Sequence, residues 1–292
     1  MILHSRIKEK IIKSIFFVLA AVSIFIILFI FYFLFREALP SFQEYGWRIF
    51  DNNWSVPRET YTIGAAIFGT GIVTFGAMCI AIPLGIGGAI FLSELAPYNL
   101  RTILKPTIEL LAGVPSIVFG LLGAILLVRY LGQTFDINGY SYLAGSLILG
   151  IMALPIIISI SDDAIKAVPR GLKEASLAVG ATKWQTIKKV ILPTSISGIT
   201  ASVIMGMGRA IGETMAVSLV VGNVMNIPIP PFNIFSPGAT LTSIIALEMG
   251  ESSGIQTYSL FAAGVILFVI VAIMSIFSNI LKEHVEKKFK GG

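Results

Sequence analysis

The sequence predicts an all-α membrane protein with six transmembrane helices. Three observations predict it: 55% of the 292 residues are hydrophobic, only 13% are charged, and uncharged runs recur at bilayer-crossing length. Soluble domains carry about 25% charged residues, so a single aqueous core is excluded. A span needs roughly 20 apolar residues at a rise of 1.5 Å each. Six runs meet that need, near residues 14–35, 63–92, 110–128, 142–160, 194–221 and 259–281, and the mean hydropathy is +0.88.

The first run follows a basic N-terminus and exceeds the 7–15 residues of a signal-peptide core, so it reads as a retained anchor. Behind it lies the polar loop 36–60, where Trp47 and Trp54 suit an interfacial belt. The second run is rich in glycine (Gly64, Gly69, Gly71, Gly76, Gly85, Gly87, Gly88) around Pro83. Small residues let helices approach closely in lipid; tight packing and a direct transport role are both open readings of them. Gly113-Val114-Pro115-Ser116 and Pro155 mark breaks or kinks in the third and fourth runs. The uncharged stretch 214–247 is not a seventh span, because Pro228, Pro230, Pro231 and Pro237 interrupt it. Residues 239–249 have the length of an interfacial or re-entrant piece. The single Cys79 matches no disulfide or metal spacing and reads as a small packing residue.

Charge placement orients the chain. Of the 21 Lys and Arg residues, all but Arg36, Arg48, Arg58, Arg129 and Arg209 fall on the side of the two termini and of the loop 161–193. The positive-inside bias puts that side in the cytoplasm. The net charge of +5 follows from this asymmetry and gives nucleic-acid binding no support. No Gly-Lys dipeptide occurs, so the chain lacks a phosphate-cradling Walker loop. His4 and His284 stand in the terminal tails, and no His–carboxylate group is spaced for a metal.

The loop 161–193 carries the most specific pattern. Pro169 suits the start of a helix, and Gly180 suits a left-handed helix end. Thr182 with Gln185 forms a capping-box pattern for a second short helix through Trp184, Ile187 and Ile191. Two short helices around a glycine make a compact knob, with Ala175, Ala178 and Ala181 keeping its profile low. An amphipathic surface connector is the plainer alternative. The run Glu174-Ala175-Ser176-Leu177-Ala178-Val179-Gly180, with Leu192-Pro193 after it, resembles the EAA loop of ABC importer permeases. Ser176 stands where that pattern usually has a third alanine. The resemblance implies a type I ABC importer permease bundle whose coupling-helix loop is gripped by a separate cytoplasmic ATPase. It makes Glu174, Ala175, Ser176, Gly180, Leu192 and Pro193 the ATPase-docking residues.

The fifth run contains Arg209 about 24 Å past Pro193, at or beyond the bilayer midplane. An arginine there costs about 2.5–3.5 kcal/mol on insertion scales, so it should face a cavity or a partner. Glu213, four residues on, would share its helical face, so a structural ion pair and a site for anion traffic are both open. The run Gly208-Arg209-Ala210-Ile211-Gly212-Glu213-Thr214-Met215-Ala216-Val217, with Leu111-Ala112-Gly113-Val114-Pro115-Ser116 and Gly250-Glu251-Ser252-Ser253-Gly254, resembles PstC-type permeases of the phosphate importer. That likeness implies that Arg209 and Glu213, with Thr214 and Ser116, serve phosphate translocation.

The implied assembly is a second permease (PstA-type or a like copy), two ATPase subunits and an external phosphate-binding protein. ATP and magnesium would sit on the ATPases, and no cofactor on this chain. The expected location is a prokaryotic inner membrane, with both termini cytoplasmic. Residues 1–60 are expected as a tail, anchor and outer loop, and 61–292 as the permease core of five spans. A permease for another oxyanion would look alike. A self-sufficient transporter or channel would need a second inverted half, and a mere anchor would not need Arg209.

Overall fold

The computed structural model describes the backbone of residues 2–290 and the side chains of 12–277, 280 and 283; those of His4 and His284 lie outside this set. The helices are α1 (Ile2–Tyr45), α2 (Gly64–Ile90), α3 (Tyr98–Ala112), α4 (Ser116–Leu122), α5 (Arg129–Phe135) and α6 (Tyr142–Lys166). They continue as α7 (Arg170–Ala178), α8 (Lys183–Thr186), α9 (Leu192–Gly212), α10 (Met215–Ser218), α11 (Leu241–Glu248) and α12 (Ile255–Lys290). Six continuous segments are long and apolar enough to cross a membrane: Ile12–Phe50, Gly64–Leu95, Ser116–Phe135, Tyr142–Lys166, Lys183–Gly212 and Ile255–Phe277.

Two of these depart from the expected bounds. The third was expected over 110–128 but runs over Ser116–Phe135. Leu110 and Leu111 belong instead to α3, an amphipathic helix with no fully buried residue. The break falls where Pro115 cannot donate and Gly113 caps α3. Arg129 lies within this helix, toward its Phe135 end, where its long stem can reach the interface. The fifth was expected over 194–221; it begins earlier, at Lys183, and stops at Gly212. Apolar composition continues to Val221, but the backbone turns extended at Glu213 and resumes as the short α10. Hydropathy registers burial, not direction, so it reads a re-entrant turn as more helix.

The fourth span, α6, is central and packs along α2 on one side and α9 on the other. Ile157 on α6 is fully buried between two glycines, and a Cβ built on Gly85 or Gly206 would come within 2.6 or 2.7 Å of its side chain. The glycines of α2 are therefore mostly packing residues, whereas Gly71 and Gly87 meet nothing within 4 Å. Cys79 lies on the outer, exposed surface of α2 and is not a packing residue. On the bundle flank, α1 packs on α12 through Phe31 against Phe268 (ring centroids 5.0 Å apart) and a buried Ser41–Ser259 hydrogen bond of 2.9 Å. The segment 239–249 contains α11, eight residues capped by the reciprocal bonds of Thr240 and Ser243, as its length suggested.

One end of the bundle gathers α3, α7, α8 and most of the basic residues whose side chains are described. A third apolar cluster (Ala89, Ile165, Val168, Ile187, Ile191, Ile199) ties the ends of α2, α6 and the Lys183–Gly212 helix together there. At the same end α3 is fastened to α6 by charge. Lys105 reaches Asp162 at 3.2 Å and Asp163 at 2.5 Å, and Lys166 pairs with Asp162 from the next turn. Burial pulls the Lys105 ammonium down, but its bonds to Asp163 and Asp162 outweigh this and raise it above its ordinary 10.5.

Candidate functional site

Two groups of expected site residues occupy different levels of the molecule. The first surrounds the end of α9. Arg209 lies in its last turn, where a cation complements the negative end of the helix dipole. It is half-buried, and its Nε is sealed from solvent without a hydrogen-bond partner. Among the described residues no carboxylate lies within ion-pair distance of it. The Arg209–Glu213 ion pair that helical spacing suggested is therefore not formed. Its premise fails because Glu213 has left the helix, with φ −71° and ψ 126°.

Glu213 is held instead by the turn that follows. Its Oε1 accepts the amide of Ala216 (3.3 Å), and its carbonyl accepts the Thr242 hydroxyl (2.8 Å). Thr214 is half-buried and donates to the Gly212 carbonyl at 3.3 Å. Ser116 opens α4, whose Gly120 lies against Ala216 of α10 closely enough that a Cβ would sit 2.8 Å from the Ala216 Cα. The helix headed by Ser116 thus flanks the turn after Glu213 and Thr214.

Hydroxyl groups absent from the sequence reading complete this region. Thr70 and Thr74 on α2, with Thr240 and Thr242 around the start of α11, line a gap together with Ala210, Ile211 and Glu213. The Thr70 hydroxyl accepts the Leu241 amide at 2.9 Å, and Thr240 and Thr242 lie 3.1 Å apart through their hydroxyls. Isolated threonines in apolar runs carry no spacing signal; the one available clue was the Thr240–Ser243 spacing of a capping box at the start of an eight-residue helix. The gap is too narrow for a water molecule, so this conformation is closed around Glu213. Leu149 of α6 also lines it, seven residues from Tyr142, which places the site about 10 Å inside that end of α6.

The second group lies at the basic end. The helix α7 has no buried residue and exposes Glu174, Ala175 and Ala178 with Leu172, Leu177 and Val179. It ends at Gly180, whose φ of +85° is the left-handed cap that was expected. The Thr182–Gln185 capping box is also formed. The second helix, however, is not separate. From Lys183 it runs through a π-helical turn, Ile187–Ile191, directly into α9. Leu192 and Pro193 are half-buried in that continuous helix, Pro193 immediately after the π turn, where altered bonding accommodates a residue without an amide donor. Ser176 has a use that alanine lacks: its hydroxyl lies 3.0 Å from that of Thr186, which is almost fully buried. Trp184 stands exposed beside the knob.

A bundle of six spans with a closed polar gap inside and an exposed helical knob at its basic end defines the membrane component of a transporter. The chain belongs to the family described as "Binding-protein-dependent transport system inner membrane component", whose model matches residues 81–291. A probable ABC transporter permease protein of Bacillus subtilis, YqgH, is 42% identical over 74% of this chain and 71% of its own. The phosphate transport system permease protein PstC of Pasteurella multocida is 36% identical over 85% and 83%. Among solved structures, a chain of the bacterial alginate ABC transporter superposes with a TM-score of 0.66 at 17% identity, over 95% of this chain and 98% of that one. The inward-facing MetNI methionine ABC transporter gives 0.58 at 17%, over 80% and 99%. These likenesses show the fold, that of ABC importer permeases. The chain is thus the non-catalytic, multi-pass inner-membrane subunit of an importer that works with a partner permease, separate ATPases and a binding protein.

Proposed function

We propose that this permease conducts inorganic phosphate and that Arg209 is the residue that holds the ion on its way. The observation that carries this reading is the unpaired Nε of Arg209, sealed from solvent one turn from Glu213, with no carboxylate among the described residues within ion-pair distance. A half-buried guanidinium whose Nε is sealed without a partner is costly to retain inside a membrane bundle, and a passing anion would offset that cost. Its planar fork of donors fits the oxygens of phosphate better than a lysine would. Relatives named as PstC support the same cargo.

In this reading Arg209 attracts the anion, and Glu213 keeps its affinity low enough for release. Glu213 also accepts a hydrogen bond from protonated phosphate, which sulfate cannot donate. Thr214 and Ser116 flank the path. The basic end faces the cytoplasm with both termini, as the positive-inside bias requires. There Glu174, Ala175, Ser176 and Gly180 form the surface gripped by one of two ATPase subunits, with Leu192 and Pro193 bracing it. The second permease is a PstA-type subunit, and a phosphate-binding protein delivers from outside. Residues 1–60 form a peripheral anchor beside the core 61–292.

The test is uptake of radiolabelled phosphate into proteoliposomes holding the complete importer, with sulfate as a parallel arm. Arg209→Gln is expected to lower phosphate uptake at least about 100-fold, the effect of removing one partner of a desolvated charge contact, while ATPase subunits stay bound. Near-normal phosphate uptake by the variant would end the proposal. Equal uptake of sulfate by the parent protein would end the phosphate assignment alone.

A further inference from the structure

We propose that Lys173 and Glu94 form the link through which the knob drives the second span, and that they act as positioning residues for the transport step. The inference rests on reading α7 as the ATPase-docking element. That helix buries none of its own residues, so its side-chain ties decide what moves with it. The structure assigns two. The Ser176–Thr186 hydroxyl contact holds α7 to the start of the fifth span, its immediate neighbour in sequence. The Lys173 ammonium lies 2.5 Å from Glu94, which belongs to a π-helical turn, Phe91–Leu95, ending the second span.

This second tie joins elements 79 positions apart in the chain. Its side chains are only 23% and 13% exposed, so water and salt screen the pair weakly. Each end has freedom to transmit rather than absorb a push. Gly171, in the first turn of α7, and Gly180, just past its end, have no atom within 4 Å of an added Cβ. On the other side Glu94 sits on one continuous helix, Gly64–Leu95. Following that helix about 30 Å from Glu94 reaches Thr74 and then Thr70, which line the closed gap against Glu213, Thr240 and Thr242. Opening that gap requires α2 to move relative to α9 and α11. Pulling Glu94 through Lys173 supplies such a movement by a rigid element, without passing through the loops.

The complete importer is purified carrying Thr74→Cys in a Cys79→Ala background. The rate of maleimide labelling is then read with and without ATP and vanadate, together with the amount of ATPase retained. This readout does not depend on the cargo. In the parent, nucleotide changes the labelling rate. Lys173→Met and Glu94→Gln are expected to keep their ATPase subunits and to shrink the nucleotide response about tenfold, a size usual for coupling between sites. The exchanged pair, Lys173→Glu with Glu94→Lys, restores most of the response. A full response in both single variants overturns the link, as does a parent whose labelling ignores nucleotide. If the single variants fail to assemble, the exchanged pair decides alone: an assembled complex without nucleotide response also overturns it. Failure of the docking reading looks different. There, Leu177→Asp with Val179→Asp would retain the ATPase.

Discussion

Asp162 and Arg209 are ionic groups held on adjacent helices of one bundle, and their surroundings treat them in opposite ways. Asp162 has no exposed surface, and two lysines from α3 and α6 converge on it. Arg209 has its Nε sealed, and among the described residues no carboxylate lies within ion-pair distance. The first arrangement is an ion pair closed within one chain: both lysines meet the Asp162 Oδ2, although its Oδ1 is sealed without a hydrogen-bond partner. The second is left open at a cost, in a turn where Glu213 is spent on the Ala216 amide rather than on the arginine. Pairing marks the joints that hold α3 and α7 in place, whereas in the proposed reading the absence of an ion pair at Arg209 marks the place kept for an ion. The difference also tells which substitutions should harm the fold and which should harm only its work.

The largest expected effect lies at the closed end. Lys105→Met combined with Lys166→Met leaves the Asp162 carboxylate buried and alone, and breaking a buried pair this way costs about 3–5 kcal/mol. Thermal unfolding of the purified protein should show it as a large fall in Tm. Lys105→Met alone, with Lys166 still in place, should cost much less. The tie should not respond to pH in the ordinary range. Because the Lys105 ammonium is raised above 10.5, its contribution is fully present below 10.5 and is lost only as pH climbs through the higher folded value. A fall in stability between pH 6 and 9 that disappears in Lys105→Met would break this account.

At Arg209 the prediction reverses in kind. Arg209→Met removes a guanidinium with an unsatisfied Nε and should leave thermal stability unchanged or raised, while uptake fails. Arg209→Lys keeps the charge but loses the planar fork, and uptake should fall about tenfold, near 1.4 kcal/mol. If Arg209→Met instead unfolds the protein as readily as the double lysine variant, the contrast between the two charges collapses and Arg209 is structural. A subtler contrast can be drawn within α2. A Cβ on Gly69 would sit 2.0 Å from the Ala239 carbonyl, whereas one on Gly71 meets nothing within 4 Å. Gly69→Ala should therefore cost about 1–3 kcal/mol by overpacking, and Gly71→Ala almost nothing. Equal effects would show that α2 and the segment before α11 are not packed as described.

Much of this organisation is legible in the sequence, for identifiable reasons. Span number follows from uncharged length, and the knob follows from local signals: Pro169, Gly180 and the Thr182–Gln185 box act over three or four residues. What escapes is non-local. Gly113 and Pro115 signal a break, but the apolar Leu110 and Leu111 before it hide that the third span begins only at Ser116, and nothing near Pro193 reveals that α8 fuses with α9. Glu213 looks helical by spacing, yet the chain turns there to meet Thr242, 29 positions on. The Thr70 and Thr74 hydroxyls, and the Lys173–Glu94 contact, need the fold before they become neighbours.

The smallest effect concerns the residue at which the EAA pattern departs from its usual alanine. The Ser176 hydroxyl meets that of Thr186, which is 3% exposed and has few other routes to a partner. Ser176→Ala takes the partner from the nearly buried Thr186 hydroxyl, so the loss should be at least that of one net hydrogen bond, about 0.5–1.5 kcal/mol. Adding Thr186→Val removes the stranded hydroxyl and should recover part of it, since deleting both partners of a buried bond can be nearly neutral. The knob would then keep its ATPase and its Lys173–Glu94 tie, and nucleotide response should be close to that of the parent. This small outcome is informative because it separates the two ties of α7. If Ser176→Ala disturbs the nucleotide response as deeply as Lys173→Met does, then α7 moves as one rigid piece with the fifth span. Glu94 would be a brace in that case and not the driven end.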